Sequence, residues 1–352
     1  MLNRRRFLHD TLLAAGGVSL LRAAQAAPQD DPISFDLHAH PGGFFDTGAP
    51  KSVRDAAFAR RVNEMRDAKI TGAFFSLVGD APRLKRTDKG IEPVGAYGPG
   101  DGQREYHRQL GILRDLFKAA PVLLATRASD LERARRERKV AAFLSSEGGG
   151  EFLDGRPELV DQMHADGVRS FQVVHYVPSA MGDLQTQPRQ HGGLSTFGKA
   201  VVKRAAASGM VIDVAHAAFD TVRDVASAVA APIILSHSIL KIDDGRPLAA
   251  RAISEDHAKL VAQTGGVIGA WPSGFNTSFN EFVANTRRLI DLVGIDHVGL
   301  GTDMDGNFNP VLSSYTQVGD WAAGLQALGL TPGEVAKVRG ANMQRVLAQV
   351  VG

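Results

Sequence analysis

The sequence predicts a parallel (β/α)8 barrel, on three observations. Short runs rich in Val, Ile, Leu and Phe recur along the chain with little polar alternation, as in strands covered on both faces. Helix-type segments separate these runs, for example 198–208, 219–229 and 255–263. Eight such runs over about 300 residues match the strand number and length of a barrel. A doubly wound open sheet is the alternative, and it fits less well because no glycine-rich phosphate loop follows the first run.

The runs predicted as barrel strands are 33–40, 71–79, 140–149, 170–177, 209–216, 232–238, 265–272 and 297–306. The run 121–125 is interpreted as either a strand extension or a helix end. Residues 80–107 are rich in Gly, Pro and charge, and they predict a long loop near the active site. The tail 331–347 predicts a helix pair that closes the barrel, with Asn342 as a polar anchor. No low-complexity linker interrupts the chain, so we expect one catalytic domain over residues 28–352.

Composition excludes several classes of function. Lys and Arg number 40 and Asp and Glu 38, so the net charge of +2 offers no electrostatic basis for nucleic-acid binding. The basic segment 133–139 is mixed with acidic residues and predicts a solvated helix face. The chain has no cysteine, which excludes disulfides, thiolate ligands and a cysteine nucleophile. Any metal ion must therefore be held by His, Asp or Glu.

The first 27 residues predict a signal peptide of the twin-arginine type. Three arginines, Arg4 to Arg6, precede a weakly apolar run that ends at Leu21, and small residues follow at 24–26. The run 11–21 is too short to span a bilayer of ~30 Å. We therefore expect a periplasmic or exported protein that begins near Ala27 and keeps no membrane anchor. An ordinary secretory signal or an amphipathic helix is the alternative interpretation of these residues.

The sequence does not fix the oligomeric state, and a homodimer is one possibility.

Ionisable side chains stand at or near the C-terminal end of six of the eight runs. They are His38 and His40, Glu147, His175, His216, His237, and Asp303 with Asp305. All parallel strands of a barrel point to one face, which is where barrel active sites lie. Burying so many imidazoles and carboxylates together without partners would cost several kcal/mol per charge, and a bound cation removes that cost.

The pair His38 and His40 indicates a metal site, with a spacing that several unrelated hydrolase families share. Residues i and i+2 of a strand face the same way, so both imidazoles can converge on one ion. Nitrogen and oxygen ligands favour Zn²⁺, with Mn²⁺, Co²⁺ or Fe²⁺ as substitutes. Five candidate ligands exceed the needs of one zinc ion, so we predict two ions about 3.5–4 Å apart. Glu147 would bridge them, and His216 and His237 would complete the second site.

Eight blocks of sequence, in order over residues 33–347, resemble the membrane (renal) dipeptidase family of metallopeptidases, within the amidohydrolase superfamily. They read FDLHAHP, FLSSEGG, GVRSFQVVHY, GLSTFGKAVVKRAAASGMVIDVAH, PIILSHS, RAISEDHAKLVAQTGGVIGAW, GIDHVGLGTDMDG and VRGANMQRVL. The resemblance implies a small dipeptide-like substrate, two zinc ions and an amide bond cleaved by a hydroxide that bridges them.

The resemblance also implies roles for single residues. It places His38, His40 and Glu147 on the first ion, and Glu147, His216 and His237 on the second. His175 would not be a ligand but would stabilise the oxyanion of the scissile carbonyl. Arg251 would pair with the terminal carboxylate of the substrate, and Asp303 would shuttle the proton.

The sequence departs from the family at one ligand position. The better-known members carry Asp where this chain has His40, so one negative charge is missing beside the ions. The change leaves metal preference and substrate identity open. The alternatives are an amidohydrolase of N-acyl amino acids, β-lactams or lactones, and a metal-bound exported protein without catalytic activity.

Overall fold

Eight parallel strands close into a barrel in the computed structural model, which describes residues 32–87 and 90–352. The predicted signal peptide lies outside the described residues. The strands are β1 (Phe35–Ala39), β2 (Gly72–Val78), β3 (Leu84–Thr87), β4 (Gly90–Pro93), β5 (Val122–Leu124), β6 (Val140–Glu147), β7 (Val168–Gln172), β8 (Val211–Asp213), β9 (Ile234–Ser238), β10 (Val267–Ala270) and β11 (Val298–Leu300). The ring runs β1–β2–β6–β7–β8–β9–β10–β11 and returns to β1. The predicted (β/α)8 barrel and all eight predicted strands are confirmed.

The long pairing of β2 with β6 fixes the level at which Glu147 lies in the barrel. β2 pairs with β6 in register from Gly72 with Ala141 to Val78 with Glu147, so both strands end at the same level. The pairing of β1 with β2 shifts register between Asp36 and Ala39. This irregularity lies where the two histidines of β1 begin, and such shifts re-aim side chains beside active sites.

Helices lie between the strands and pack outside the barrel. They are α1 (Lys51–Asp67), α2 (Asp101–Ala119), α3 (Asp130–Glu137), α4 (Leu159–Ala165), α5 (Thr196–Ala207), α6 (Phe219–Ala228), α7 (Glu255–Gln263), α8 (Phe279–Val293), α9 (Val318–Ala327), α10 (Pro332–Ala336) and α11 (Asn342–Val350). The hydroxyls of Ser195, Ser254 and Ser278 cap α5, α7 and α8 by accepting a backbone N–H of the first turn. The three helices predicted at 198–208, 219–229 and 255–263 are confirmed as α5, α6 and α7.

The segment 80–107 is more regular than predicted. Instead of one long loop, it contains the antiparallel hairpin β3–β4 and the first turns of α2. Helix α2 buries Tyr106, Leu110 and Leu113 on one face, a spacing that the surrounding glycines and charges hide in the sequence. The run 121–125 proves to be a strand extension, since β5 pairs with the start of β6.

The C-terminal helices close the barrel as predicted. Met343, Val346 and Leu347 of α11 pack with Phe35 and other barrel residues in one buried cluster. Asn342 is the polar anchor, since its Nδ2 donates to the carbonyls of Ile295 at 2.7 Å and Val298 at 2.8 Å. Among the residues described, no helix combines the length and hydrophobicity needed to cross a membrane.

Candidate active site

Glu147 is the last residue of β6, and its buried carboxylate faces the histidines of β1. Its Oε1 lies 3.3 Å from Nε2 of His38, and its Oε2 lies 3.2 Å from Nε2 of His40. The two histidine Nε2 atoms are 3.1 Å apart. The sequence-based expectation that His38 and His40 converge on one point is therefore met by the geometry.

Oε1 of Glu147, the oxygen that faces His38, also meets histidines from three further strand segments: His175 after β7, His216 after β8 and His237 within β9. Oε1 lies 3.2 Å from Nε2 of His175, 3.3 Å from that of His216 and 3.8 Å from that of His237. Nε2 of His216 and Nε2 of His237 are 3.0 Å apart. All four histidines predicted as metal ligands thus gather around the carboxylate of the fifth, Glu147.

Asp303 and Asp305 follow β11 but do different things. Oδ1 of Asp303 lies 3.4 Å from Nε2 of His40, so this carboxylate belongs to the cluster. Asp305 instead accepts hydrogen bonds from Arg61 at 2.7 and 3.0 Å and from the backbone N–H of Gly42 at 2.7 Å. Asp305 therefore fastens the loop after β11 to α1 and to the loop after β1.

Backbone geometry also marks these positions. His216 has φ 67° and Asp303 has φ 52°, values in the left-handed region that residues other than glycine seldom adopt. A Cβ on Gly306 would lie 2.5 Å from Oδ1 of Asp303 and 2.6 Å from Cδ2 of His40. Only glycine leaves room there for both side chains.

The ligand atoms form three overlapping groups in which all atoms lie within 4.8 Å of one another. The groups are His38, His40 and Asp303; His38, Glu147 and His237; and Glu147, His175 and His216. The donors are imidazole nitrogens and carboxylate oxygens, a set that suits zinc and related divalent ions. His175 and Asp303 are as close to the centre as the five predicted ligands are.

Partners on the far ring nitrogens orient the imidazoles of His40 and His237, whereas Nδ1 of His216 has no hydrogen-bond partner among the described residues. Nδ1 of His40 lies 2.8 Å from the carbonyl oxygen of Ser76, which can only accept, so Nδ1 carries the proton. The Nε2 lone pair of a neutral His40 then faces Glu147. Nδ1 of His237 lies 3.0 Å from Oγ of Ser236. Such partners are typical of metal-binding histidines.

Electrostatics also fit a cation. Burial holds the pKa of both His216 and His237 well below the usual value, so these rings are neutral and offer lone pairs. Burial also lowers the pKa of His40, but the hydrogen bonds to Asp303 and Glu147 outweigh it and raise that pKa to about 10. The carboxylates of the cluster thus need a positive partner, which can be a proton or a metal ion.

Asp80 is a site residue that sequence reasoning missed. It follows β2 and is completely buried, and its Oδ1 lies 2.6 Å from Nδ1 of His175. The second apolar run ends at Gly79, so Asp80 stands one residue beyond the predicted strand. An acidic residue directly after a predicted strand was the available signal.

Arg251 lies beside the cavity, in a buried position. Its side chain is 1% exposed, and its Nη1 donates to Oε1 of Gln185. Within the part of the chain that the structure describes, Nε and Nη2 have no hydrogen-bond partner. The guanidinium lies 5.4 Å from the ring centroid of Trp271, a residue of the cavity wall.

A cavity of about 570 Å³ opens above the cluster. Glu147, His175 and Asp303 lie at its polar end. Much of the remaining wall is apolar. The β3–β4 hairpin contributes Leu84 and Ile91, and other loops contribute Phe45, Trp271 and Phe308. The cavity is large enough for a small ligand of dipeptide size.

Comparison with known proteins identifies the family of the chain. The family described as membrane dipeptidase (Peptidase family M19) matches residues 35–351. A protein of the pqqA 5′ region of Klebsiella pneumoniae is 29% identical over 225 residues, which are 59% of this chain and 82% of that protein. The dipeptidase aclJ of Aspergillus oryzae is 28% identical over 226 residues, 60% of this chain and about half (52%) of that protein.

A solved structure shows the same fold. It is a metallopeptidase from Rhodobacter sphaeroides, liganded with a phosphinate mimic of the dipeptide L-Ala-D-Ala. It superposes with a TM-score of 0.79 at 19% identity, over 91% of this chain and 100% of that one. With the family match over nearly all described residues, the chain belongs to the membrane dipeptidase family of metallopeptidases, and it is a peptidase with residue clusters able to hold metal ions.

Proposed function

We propose that this chain is an exported dipeptidase that binds two divalent cations, zinc being the best match, and hydrolyses the amide bond of dipeptides. One observation carries the proposal. Nε2 of His38 faces Oε1 of Glu147 and Nε2 of His40 faces Oε2. Oε1 also faces His216, after β8, and His237, within β9. A carboxylate with histidines on both oxygens is suited to bridge two cations.

His38, His40 and Glu147 would hold the first cation, and Glu147, His216 and His237 the second. Bound there, the two cations would lower the pKa of a water molecule and polarise the scissile carbonyl. The histidine at position 40 supports zinc over harder ions, because it replaces an oxygen ligand by an imidazole nitrogen.

Two further residues of the chain act on the substrate in this proposal. Asp303 lies at the cavity and within 3.4 Å of Nε2 of His40, so it is placed to accept the proton of the attacking water. It then returns that proton to the leaving amine. His175 lies at the other oxygen of Glu147, where an Nε2–H can donate to the oxyanion. Burial lowers the pKa of His175, but the charges of Asp80 and Glu147 outweigh burial and raise that pKa, so the ring carries protons on both nitrogens.

Arg251 selects substrates with a carboxylate next to the scissile bond. Its Nε and Nη2 lack hydrogen-bond partners among the described residues. These two N–H groups lie on one edge of the guanidinium and can bind both oxygens of a carboxylate. A buried donor without an acceptor costs about 1–3 kcal/mol, which a bound carboxylate would recover. Since Arg251 is 1% exposed, binding requires a shift of the adjacent wall at Trp271.

N-acyl amino acids are a second candidate substrate class. They offer the same carboxylate, and the apolar wall at Phe45, Leu84 and Ile91 favours an uncharged acyl group. Dipeptides, N-acetyl amino acids, dipeptide amides and phosphoesters should therefore be compared on protein stripped of metal and reloaded with Zn²⁺ or Mn²⁺. We expect metal-dependent hydrolysis of dipeptides and slow hydrolysis of their amides. Turnover without metal, or preference for phosphoesters, contradicts the proposal.

Export is the part of the proposal that rests on residues 1–27 alone. The arginine cluster, the short apolar run and the small residues at 24–26 support it. N-terminal sequencing of exported protein should give a chain that begins near Ala27. Exported protein that still begins at Met1 would refute a cleaved signal.

A further inference from the structure

We propose that Asp80 is a positioning residue for the reaction. By accepting the Nδ1 proton of His175, it fixes that ring so that Nε2 faces Glu147 and the scissile carbonyl. This inference rests on the proposed function, in which His175 meets the oxyanion. In this inference Asp80 does not touch the substrate and affects the reaction by orienting His175.

The backbone directly before Asp80 is bonded to the strand end that carries Glu147. The backbone N–H of Gly79 donates to the carbonyl of Glu147 at 2.8 Å. A Cβ on Gly79 would lie 2.3 Å from the carbonyl oxygen of Gly148, so β2 and β6 approach closely at this point. The close approach brings Asp80 against the segment after β7 that carries His175.

Both oxygens of Asp80 are occupied. Oδ1 lies 2.6 Å from Nδ1 of His175, while Oδ2 accepts the backbone N–H groups of Tyr176 at 3.1 Å and Val177 at 3.2 Å. The side chain is completely buried, so no water competes for these bonds. A carboxylate held by two backbone donors cannot rotate away from the imidazole.

The ring of His175 is thereby held at both ends. Its Nδ1 is against Asp80, and its Nε2 lies 3.2 Å from Oε1 of Glu147. Short, charge-assisted hydrogen bonds of this kind fix the orientation and the tautomer of a histidine. Loss of the Asp80 contact should release the ring without removing any predicted metal ligand.

The substitution Asp80→Asn tests this arrangement specifically. The amide oxygen must stay with the two backbone N–H groups, because an NH₂ group cannot accept their hydrogen bonds. The NH₂ group is then turned towards Nδ1 of His175, which already carries a proton. The ring must either turn or give up its Nδ1 proton, while the volume of the side chain is unchanged.

A double-mutant cycle on zinc-loaded protein separates positioning from structural support. We expect Asp80→Asn to lower kcat for a dipeptide by roughly 10–100-fold, with KM little changed and metal content intact. In the His175→Ala background the same substitution should change kcat by less than about 2-fold, since the two residues act as one unit. Equal losses in both backgrounds, or no loss with His175 present, would overturn the proposal.

Asp183→Asn is the matched control. Asp183 is also a buried carboxylate that accepts backbone N–H groups, from Gln190, His191 and Gly193, and it lies outside the metal cluster. Its substitution should have the same effect with and without His175. Should Asp80→Asn fail to fold, Asp80→Glu carries the same cycle, since it keeps the charge but displaces it by one methylene group.

Nuclear magnetic resonance of protein labelled with ¹⁵N at histidine supplies a readout that needs no turnover. The zinc-loaded protein should show a hydrogen-bonded Nδ1–H signal that disappears in His175→Ala, shifts or disappears in Asp80→Asn, and stays in Asp183→Asn. An unchanged signal in Asp80→Asn contradicts the inference. If the wild-type protein hydrolyses no dipeptide, the proposed function fails, and this spectrum still decides whether Asp80 holds the ring.

Discussion

Nε2 of His216 lies 3.0 Å from Nε2 of His237, although His216 follows β8, His237 lies within β9 and the two are 21 positions apart. Burial keeps both rings neutral by holding each pKa well below its usual value. Two lone-pair nitrogens this close repel each other unless a proton or a cation lies between them. The pair is therefore the part of the site that most directly calls for a metal ion.

Replacement of His175 by Ala should lower kcat by ~10²–10³-fold, because one oxyanion donor is lost. The variant should keep its full metal content, as His175 is not among the predicted ligands. Steady-state kinetics and metal analysis on the same preparation measure both effects. Loss of an ion together with the activity would instead make His175 a ligand, which its place beside Glu147 and His216 permits.

Replacement of Asp303 by Asn should give a folded, metal-loaded and nearly inactive protein, since an amide cannot accept the proton of the attacking water. Asp305→Asn serves as the contrast, because that carboxylate binds Arg61 and the backbone of Gly42 rather than the cluster. It should lower the melting temperature and affect kcat far less. Wild-type turnover by Asp303→Asn rules out the proton shuttle.

Replacement of Arg251 by Lys should raise KM for dipeptides by roughly 10–100-fold, because hydrogen bonds to a charged group contribute about 1.5–3 kcal/mol. The matched substrate is the dipeptide amide, which lacks the carboxylate. Its kinetics should be nearly the same for wild type and variant. If the amide is affected as strongly as the acid, Arg251 supports the wall at Trp271 rather than the substrate.

Removal of metal by a chelator should lower the melting temperature, and added Zn²⁺ should restore it. A cation at 100 times its Kd stabilises the native state by about 2.7 kcal/mol. Differential scanning calorimetry of the stripped and the reloaded protein measures the change. An identical melting temperature for the stripped and the reloaded protein would show that the cluster binds no ion in the native fold.

Replacement of Asn342 by Ala should lower the free energy of unfolding by about 1–3 kcal/mol, since the part-buried bond to the carbonyl of Ile295 and the buried bond to that of Val298 are both lost. The site lies at the other end of the strands, so kcat should be unchanged. Gln349→Ala, on an exposed face of the same helix, is the control and should be nearly neutral. Denaturant unfolding of the two variants compares them directly.

Much of this architecture could be predicted because barrel strands have a simple sequence signal. Buried parallel strands require continuous apolar runs, and each run was visible. The positions of His38, His216 and His237 followed from those runs, because strand ends of a barrel share one face. Their approach to Glu147 is thus a consequence of topology that a single sequence already contains.

Other features depend on contacts between distant segments and could not be predicted in this way. Asp80 gains its place from the tight packing of Gly79 on Gly148, which no local pattern reveals. Asp303 and Asp305 look alike in sequence, yet only the fold brings Arg61 to the second of them. The hairpin β3–β4 was hidden by glycines and charges that normally indicate a loop.

The metal content of the purified, folded protein tests the central claim most directly. Elemental analysis of the wild-type chain after loading with Zn²⁺ should give two ions per chain, and Glu147→Gln should bind fewer. Folded protein that contains no transition-metal ion, and takes none up when Zn²⁺, Mn²⁺ or Co²⁺ is offered, would contradict the account.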